Sequence, residues 1–97
     1  MLMTVLEAQV EPDRAQALQS AYEAAAAGGL PPGLLRTELV RDLRHAGRWR
    51  IQTWWTDRQA LDAMRSAGTP AGVLMFRAAG AEPELSVFEV LAALPRA

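Results

Sequence analysis

Trp54 and Trp55 stand side by side at the end of "RWRIQTWW", residues 48 to 55, and this adjacency limits the available folds more than any other feature. The segment alternates like a strand. Trp49, Ile51, Thr53 and Trp55 fall on one side, and Arg50, Gln52 and Trp54 on the other, because successive strand residues point to opposite faces. The two indoles therefore belong to different faces of one sheet. If both are hidden, both faces need cover, and a chain of 97 residues has little left for the second. Burying one tryptophan removes ~200 Å² from water, a few kcal/mol at ~25 cal/mol per Å². A partner on the second face is thus expected; the alternative is a Trp54 partly exposed beside the hairpin.

The remaining pattern supplies the rest of such a sheet. "LMTVLEAQV" (2 to 10) places Leu2, Leu6, Ala8 and Val10 on one face and Met3, Val5, Glu7 and Gln9 on the other, a strand alternation. Pro12, with acidic Glu11 and Asp13 around it, suits a helix start. Ala15, Leu18, Tyr22 and Ala25 continue at helical spacing until "GGLPPG", predicting a helix over 12 to 27. "LLRTELVRDL" (34 to 43) alternates again, with Leu35, Thr37 and Leu39 opposed to Arg36, Glu38 and Val40, and joins the tryptophan strand through "RHAG" as a hairpin. Thr56 with Gln59 reads as a capping box opening a second helix, whose stripe is Leu61, Met64 and Ala67. Residues 69 to 80 predict a short third helix, and "ELSVFEVL" (84 to 91) a last strand with Leu85, Val87 and Glu89 on one face.

The resulting order is β-α-β-β-α-(α)-β in a single domain spanning 1 to 97. This is an α+β, ferredoxin-like arrangement: a four-stranded antiparallel sheet with helices on one face. The uncovered face is expected to carry Val5, Val40, Trp54 and Val87 among Glu7, Arg36, Glu38, Arg50, Gln52 and Glu89. Such a mixture suits sheet-against-sheet pairing of two copies, with Trp54, Val40, Arg50 and Val87 at the homodimer interface.

Composition closes off several functions. There is no cysteine and one histidine, His45, so thiolate chemistry is excluded and no metal site is expected. Ser20, Ser66 and Ser86 lack a histidine partner for a hydrolase triad. All ten basic residues are arginine and the net charge is −1, which argues against a nucleic-acid binder. No apolar run reaches a membrane span, and the N-terminal segment does not resemble a secretory signal, so a cytoplasmic location is expected.

"PGLLRTELVRD", "RWRIQTWWTDRQALDAM" and "TPAGVLMFRAAGAEPELSVFEV", in this order and spacing, resemble the antibiotic biosynthesis monooxygenase family, whose members are dimeric α+β barrels. The resemblance implies a cleft between sheet and helices lined by the strand-end tryptophan, here Trp55, the one catalytic candidate. It further implies oxidation of a small aromatic or quinol-like ligand by molecular oxygen without a cofactor. The haem-degrading branch of the family places a histidine on the following helix, where Met64 and Arg65 stand, and an asparagine on the first strand. This chain contains no asparagine, so haem degradation is not expected. The polyketide-oxidising branch uses an asparagine where Ile51 stands and a tyrosine where Leu61 stands. A non-catalytic ligand-binding or dimerisation module of the same fold is therefore the alternative reading.

Within the implied cleft, the substrate-binding candidates are Tyr22, Trp49, Met64, Met75, Phe76 and Arg77. Tyr22 offers a phenol, the thioethers and Phe76 an adaptable apolar wall, and Arg77 a planar fork for a carboxylate or enolate. Each also has a packing explanation, or for Arg77 a solvated one. A cavity of ~300 Å³ or more with convergent polar groups would favour a ligand site, and a filled cleft the module.

Overall fold

The computed structural model describes residues 1–95. Four strands, β1 (Leu2–Gln9), β2 (Leu34–Arg41), β3 (Arg48–Trp55) and β4 (Glu84–Glu89), form one antiparallel sheet in the order β2-β3-β1-β4. Helices α1 (Ala15–Ala27), α2 (Arg58–Ser66) and α3 (Ala71–Ala78) lie on one side, and Pro12–Arg14 forms a 3₁₀ turn leading into α1. This is the ferredoxin-like architecture expected from the pattern. No helix among the described residues is long and apolar enough to cross a membrane.

The core is the layer between sheet and helices. Val10, Leu18, Leu61 and Phe76 are fully buried, and Ala8, Trp49, Ile51 and Trp55 nearly so. Leu18 on α1 and Phe76 on α3 pack onto Ala8, Trp49 and Ile51. The alternation of β3 is thus realised: residues 49, 51, 53 and 55 are buried, and 50, 52 and 54 are not.

Three local expectations are corrected. The second helix is capped by Asp57, whose Oδ1 accepts from the Ala60 amide at 2.9 Å, not by Thr56. The Thr56 amide donates to the Gly33 carbonyl at 2.9 Å, which keeps residue 56 in the sheet's hydrogen bonding and delays the helix by one position. In β2 the register against β3 shifts between Leu34 and Arg36, a bulge that turns Leu35 outward to 51% exposure and brings Leu34 opposite Trp55. The strand ends at Arg41, so the hairpin connection is longer than "RHAG"; Asp42 closes it by accepting from the Arg44 and His45 amides.

The fourth correction concerns the sheet's far face. Thr4 is the register partner of Val87, and Met3 of Phe88. Residues facing each other across a ladder share a face, so Val87 lies on the helix side and Phe88 on the far side. Val87 therefore does not belong with Trp54, Val40 and Arg50. Both faces of β4 are exposed along its length and apolar on each, so alternation alone could not orient it; only the pairing with β1 does. The far face consequently reads in rows across the strands. Arg36, Trp54, Met3 and Phe88 form one; Glu38, Gln52, Val5 and Ser86 the next; Val40, Arg50, Glu7 and Glu84 the third. Arg50 pairs with Glu7 and Arg36 with Glu38, while the Arg36 guanidinium sits 5.7 Å from the Trp54 ring centroid. Trp54 is half-buried by these neighbours.

Candidate functional site

Opposite that face, a cavity of about 170 Å³ opens between the sheet and the helices, smaller than the ~300 Å³ expected of a ligand site, yet not the filled cleft expected of a module. An apolar protein cavity of about 150 Å³ holds benzene, so one aromatic ring fits inside. Its floor is the helix side of β1, β2 and β3, its far wall comes from α1 and the segment after it, and Met64, Met75 and Gly72 come from the α2–α3 arm. Gly72 allows α3 to sit close: a Cβ there would lie 2.7 Å from Leu6 Cδ1.

Trp55 forms one side and is 3% exposed. Its indole N–H donates to Thr4 Oγ1 at 3.2 Å within the buried layer. The tryptophan is therefore an oriented wall, and its one polar hydrogen is already engaged. Tyr22, Met64 and Met75 also line the cavity. The other three candidates are elsewhere. Trp49 belongs to the adjoining core, with the Arg41 guanidinium 5.8 Å from its ring centroid. Phe76 is 0% exposed and packed among Leu18, Trp49 and Ile51. Arg77 projects outward and is held by Glu82 through two hydrogen bonds, at 3.0 Å from Nε and 2.9 Å from a terminal nitrogen. That partner holds the Glu82 carboxyl below its ordinary range and raises Arg77. An arginine so occupied does not serve the cavity, which corrects its expected role.

The residues that sequence reasoning missed are polar and small. Thr4, Thr37 and Thr53 all line the cavity. Thr53 is the register partner of Thr4 on one side and of Thr37 on the other, so the three hydroxyl-bearing side chains form one row across the floor. Thr37 Oγ1 and Thr53 Oγ1 are 3.2 Å apart. Thr37 and Thr53 alternate correctly in the sequence, but linking them to Thr4 needs the β1–β3 register. Leu34 enters the lining only through the β2 bulge.

Among the described residues, no charged side chain lines the cavity. Among the described residues, no group of three or more His, Cys, Asp or Glu side chains comes together in a way that could hold a metal. His45 sits on the exposed hairpin, 3.3 Å from Asp42 Oδ2, away from the cavity residues. What the site can do chemically is enclose an uncharged aromatic ring, exclude water from it, and offer hydroxyls to its oxygen atoms.

The family described as antibiotic biosynthesis monooxygenase matches residues 1–69. Among solved structures, the chain is similar to SnoaB, a cofactor-independent oxygenase from Streptomyces nogalater, at 21% identity and TM-score 0.71, covering 98% of this chain and 97% of that one. It is also similar to a conserved protein from Methanosarcina mazei, at 16% identity and TM-score 0.70, with 90% and 89% covered. No curated protein sequence matches. At these identities the solved structures speak for the fold.

Proposed function

The chain belongs to the antibiotic biosynthesis monooxygenase family, and from that premise we propose that it is a cofactor-independent monooxygenase acting on a small aromatic, quinol-like metabolite in the Trp55 cavity. The observation that carries this reading is the cavity itself: one ring in size, lined among the described residues by uncharged side chains, walled by an oriented indole and floored by hydroxyls. The similar fold of SnoaB, itself a cofactor-independent oxygenase, supports it.

In such a reaction the substrate supplies the electrons. For a phenol going to a quinone, a ring C–H bond breaks and a C–O bond forms with one atom of O₂. The second oxygen atom leaves as water, and the four electrons gained by O₂ are the four lost by the ring, so no external reductant is required. Among the described residues, no carboxylate, histidine or lysine lines the cavity to remove a proton, so the substrate's own acidity would provide the anion that reduces O₂. The apolar walls would exclude water from that anion, with Trp55 stacking on the ring and Tyr22 donating toward charge at its rim. Two copies would pair through the far face of the sheet, with Trp54, Val40 and Arg50 joined there by Phe88 and Met3.

Incubation of the purified protein with a panel of single-ring phenols, with and without oxygen, tests the proposal. Oxygen consumption and quinone formation above the uncatalysed rate are expected; no oxygen-dependent turnover across the panel counts against it. The absence of an acid–base side chain from the lining favours a second reading, a ligand-binding module without chemistry. Tight binding of the same compounds without turnover would select it.

A further inference from the structure

Each threonine hydroxyl has one hydrogen to give and two lone pairs to accept with. In the Thr37–Thr53 contact one hydroxyl donates and the other accepts. Thr4 accepts from the Trp55 indole. Three hydroxyl hydrogens enter this row and, among the side-chain hydrogen bonds of the described residues, one is used. Two donors remain, one on Thr4 and one on the Thr37–Thr53 pair, and all three residues line the cavity. Thr4 and Thr53 are each 8% exposed, and among the described residues every buried side-chain oxygen already has a partner, so the row is satisfied without a ligand and still has hydrogens to offer one.

We propose that the Thr37–Thr53–Thr4 row is the polar recognition element of the cavity, selecting ring compounds that carry an uncharged acceptor oxygen, a ketone, quinone or phenol, over hydrocarbons of the same shape. The inference rests on the cavity being the ligand site and adds which residues read the ligand and for which atom. Spacing supports a shared acceptor: facing strand residues on one side of a sheet have Cβ atoms ~4.5–5.5 Å apart, so one oxygen above the row can be reached from neighbouring strands. With no charged group among the described residues of the lining, a carboxylate that must enter already ionised would be buried without a counter-ion and is disfavoured, whereas a phenol enters neutral. These are positioning residues; the ring itself rests on Trp55 and the two methionines.

Acetophenone and α-methylstyrene differ by a carbonyl oxygen against a methylene on the same skeleton, and serve as the probes. Their dissociation constants would be measured for the unaltered protein, for the Thr37→Val, Thr53→Val double variant, and for the Thr37→Ser, Thr53→Ser double variant. Valine is isosteric and suits a strand, so folding is expected to survive; the single Thr37→Val variant, at a less buried position, gives a second measurement. The acetophenone preference, taken relative to α-methylstyrene, should fall by roughly three- to tenfold in the valine variant, the factor a neutral hydrogen bond supplies. Serine should retain it. An unchanged ratio in the valine variants overturns the inference while leaving the cavity reading intact. If neither probe binds the unaltered protein, the cavity is not a ligand site and both readings fall together.

Discussion

The hydrogen bond from the Trp55 indole to Thr4 Oγ1, 3.2 Å long and buried, fixes the wall of the cavity, and its removal has a calculable consequence. Thr4→Val keeps the side-chain shape, so no void opens; it removes the acceptor and strands an indole N–H in the core. Such an orphaned donor costs about 1–3 kcal/mol. For a domain of this length each kcal/mol moves the midpoint by about 4–8 °C, so a loss of about 2 kcal/mol lowers it by about 8–16 °C. Trp55→Phe removes the donor together with half of the indole, and costs about 2 kcal/mol through lost packing. On that background the second change strands nothing, so Thr4→Val should then be nearly neutral. The double variant is therefore expected to be more stable than the sum of the single losses implies, by about 1–2 kcal/mol, within the range of coupled neighbours. Urea unfolding followed by circular dichroism at one fixed protein concentration measures all four proteins, since any self-association makes stability concentration-dependent. A Thr4→Val cost equal in both backgrounds to within about 0.5 kcal/mol would show that the bond does not hold Trp55.

Gly33, at φ +83°, has Ala60 Cβ only 2.4 Å from where its own Cβ would be; Gly33→Ala should cost roughly 2–4 kcal/mol from left-handed strain and overpacking, and adding Ala60→Gly should recover part of it in thermal unfolding. Trp54→Ser should weaken self-association at least about tenfold, because a core interface aromatic commonly contributes 2 kcal/mol or more; sedimentation at micromolar concentration that finds no dimer in the unaltered protein would remove the sheet-pairing proposal. Asp42 is held below its ordinary pKa by the Arg44 and His45 amides, so the stability it supplies is present above the unfolded value and disappears as pH falls through the folded one. Asp42→Asn should accordingly flatten the acid side of a midpoint-against-pH curve below about pH 4, and an identical curve would refute the assignment.

The fold was legible because alternation and helical spacing are written into contiguous residues: β1, β3 and α1 need only their own stretch of chain. Features that depend on pairing were not. Val87 was read onto the far face because β4 is apolar on both sides, and only the Thr4–Val87 register assigns it. Leu34 is indistinguishable from Leu35 until the bulge separates them. Trp55, which the family resemblance points to, lines the cavity with Tyr22, Met64 and Met75, whereas Trp49 and Phe76, of similar residue types, pack in the adjoining core. Arg77 was misread because its partner, Glu82, lies in the loop beyond α3, where spacing carries no information. The threonines escaped notice because each is unremarkable alone; their meaning is the row.

That row ties the chemistry to the register. Sliding β3 by one residue against its neighbours would turn Arg50, Gln52 and Trp54 toward the helices and expose Trp49, Ile51 and Trp55, since every side chain changes face. Hiding three large apolar side chains is worth roughly 5–9 kcal/mol at ~1.5–3 kcal/mol each, which is comparable with the whole stability of a small domain, about 5–15 kcal/mol. The slipped sheet is therefore excluded by the core alone, with no help from the polar residues. Thr53 is thereby held between Thr37 and Thr4 by the burial of Ile51 and Trp55 on either side of it, not by its own hydrogen bonds. It follows that the threonines can be replaced without moving the strands, so ligand selection and stability should separate at Thr37 and Thr53, as they cannot at Trp55.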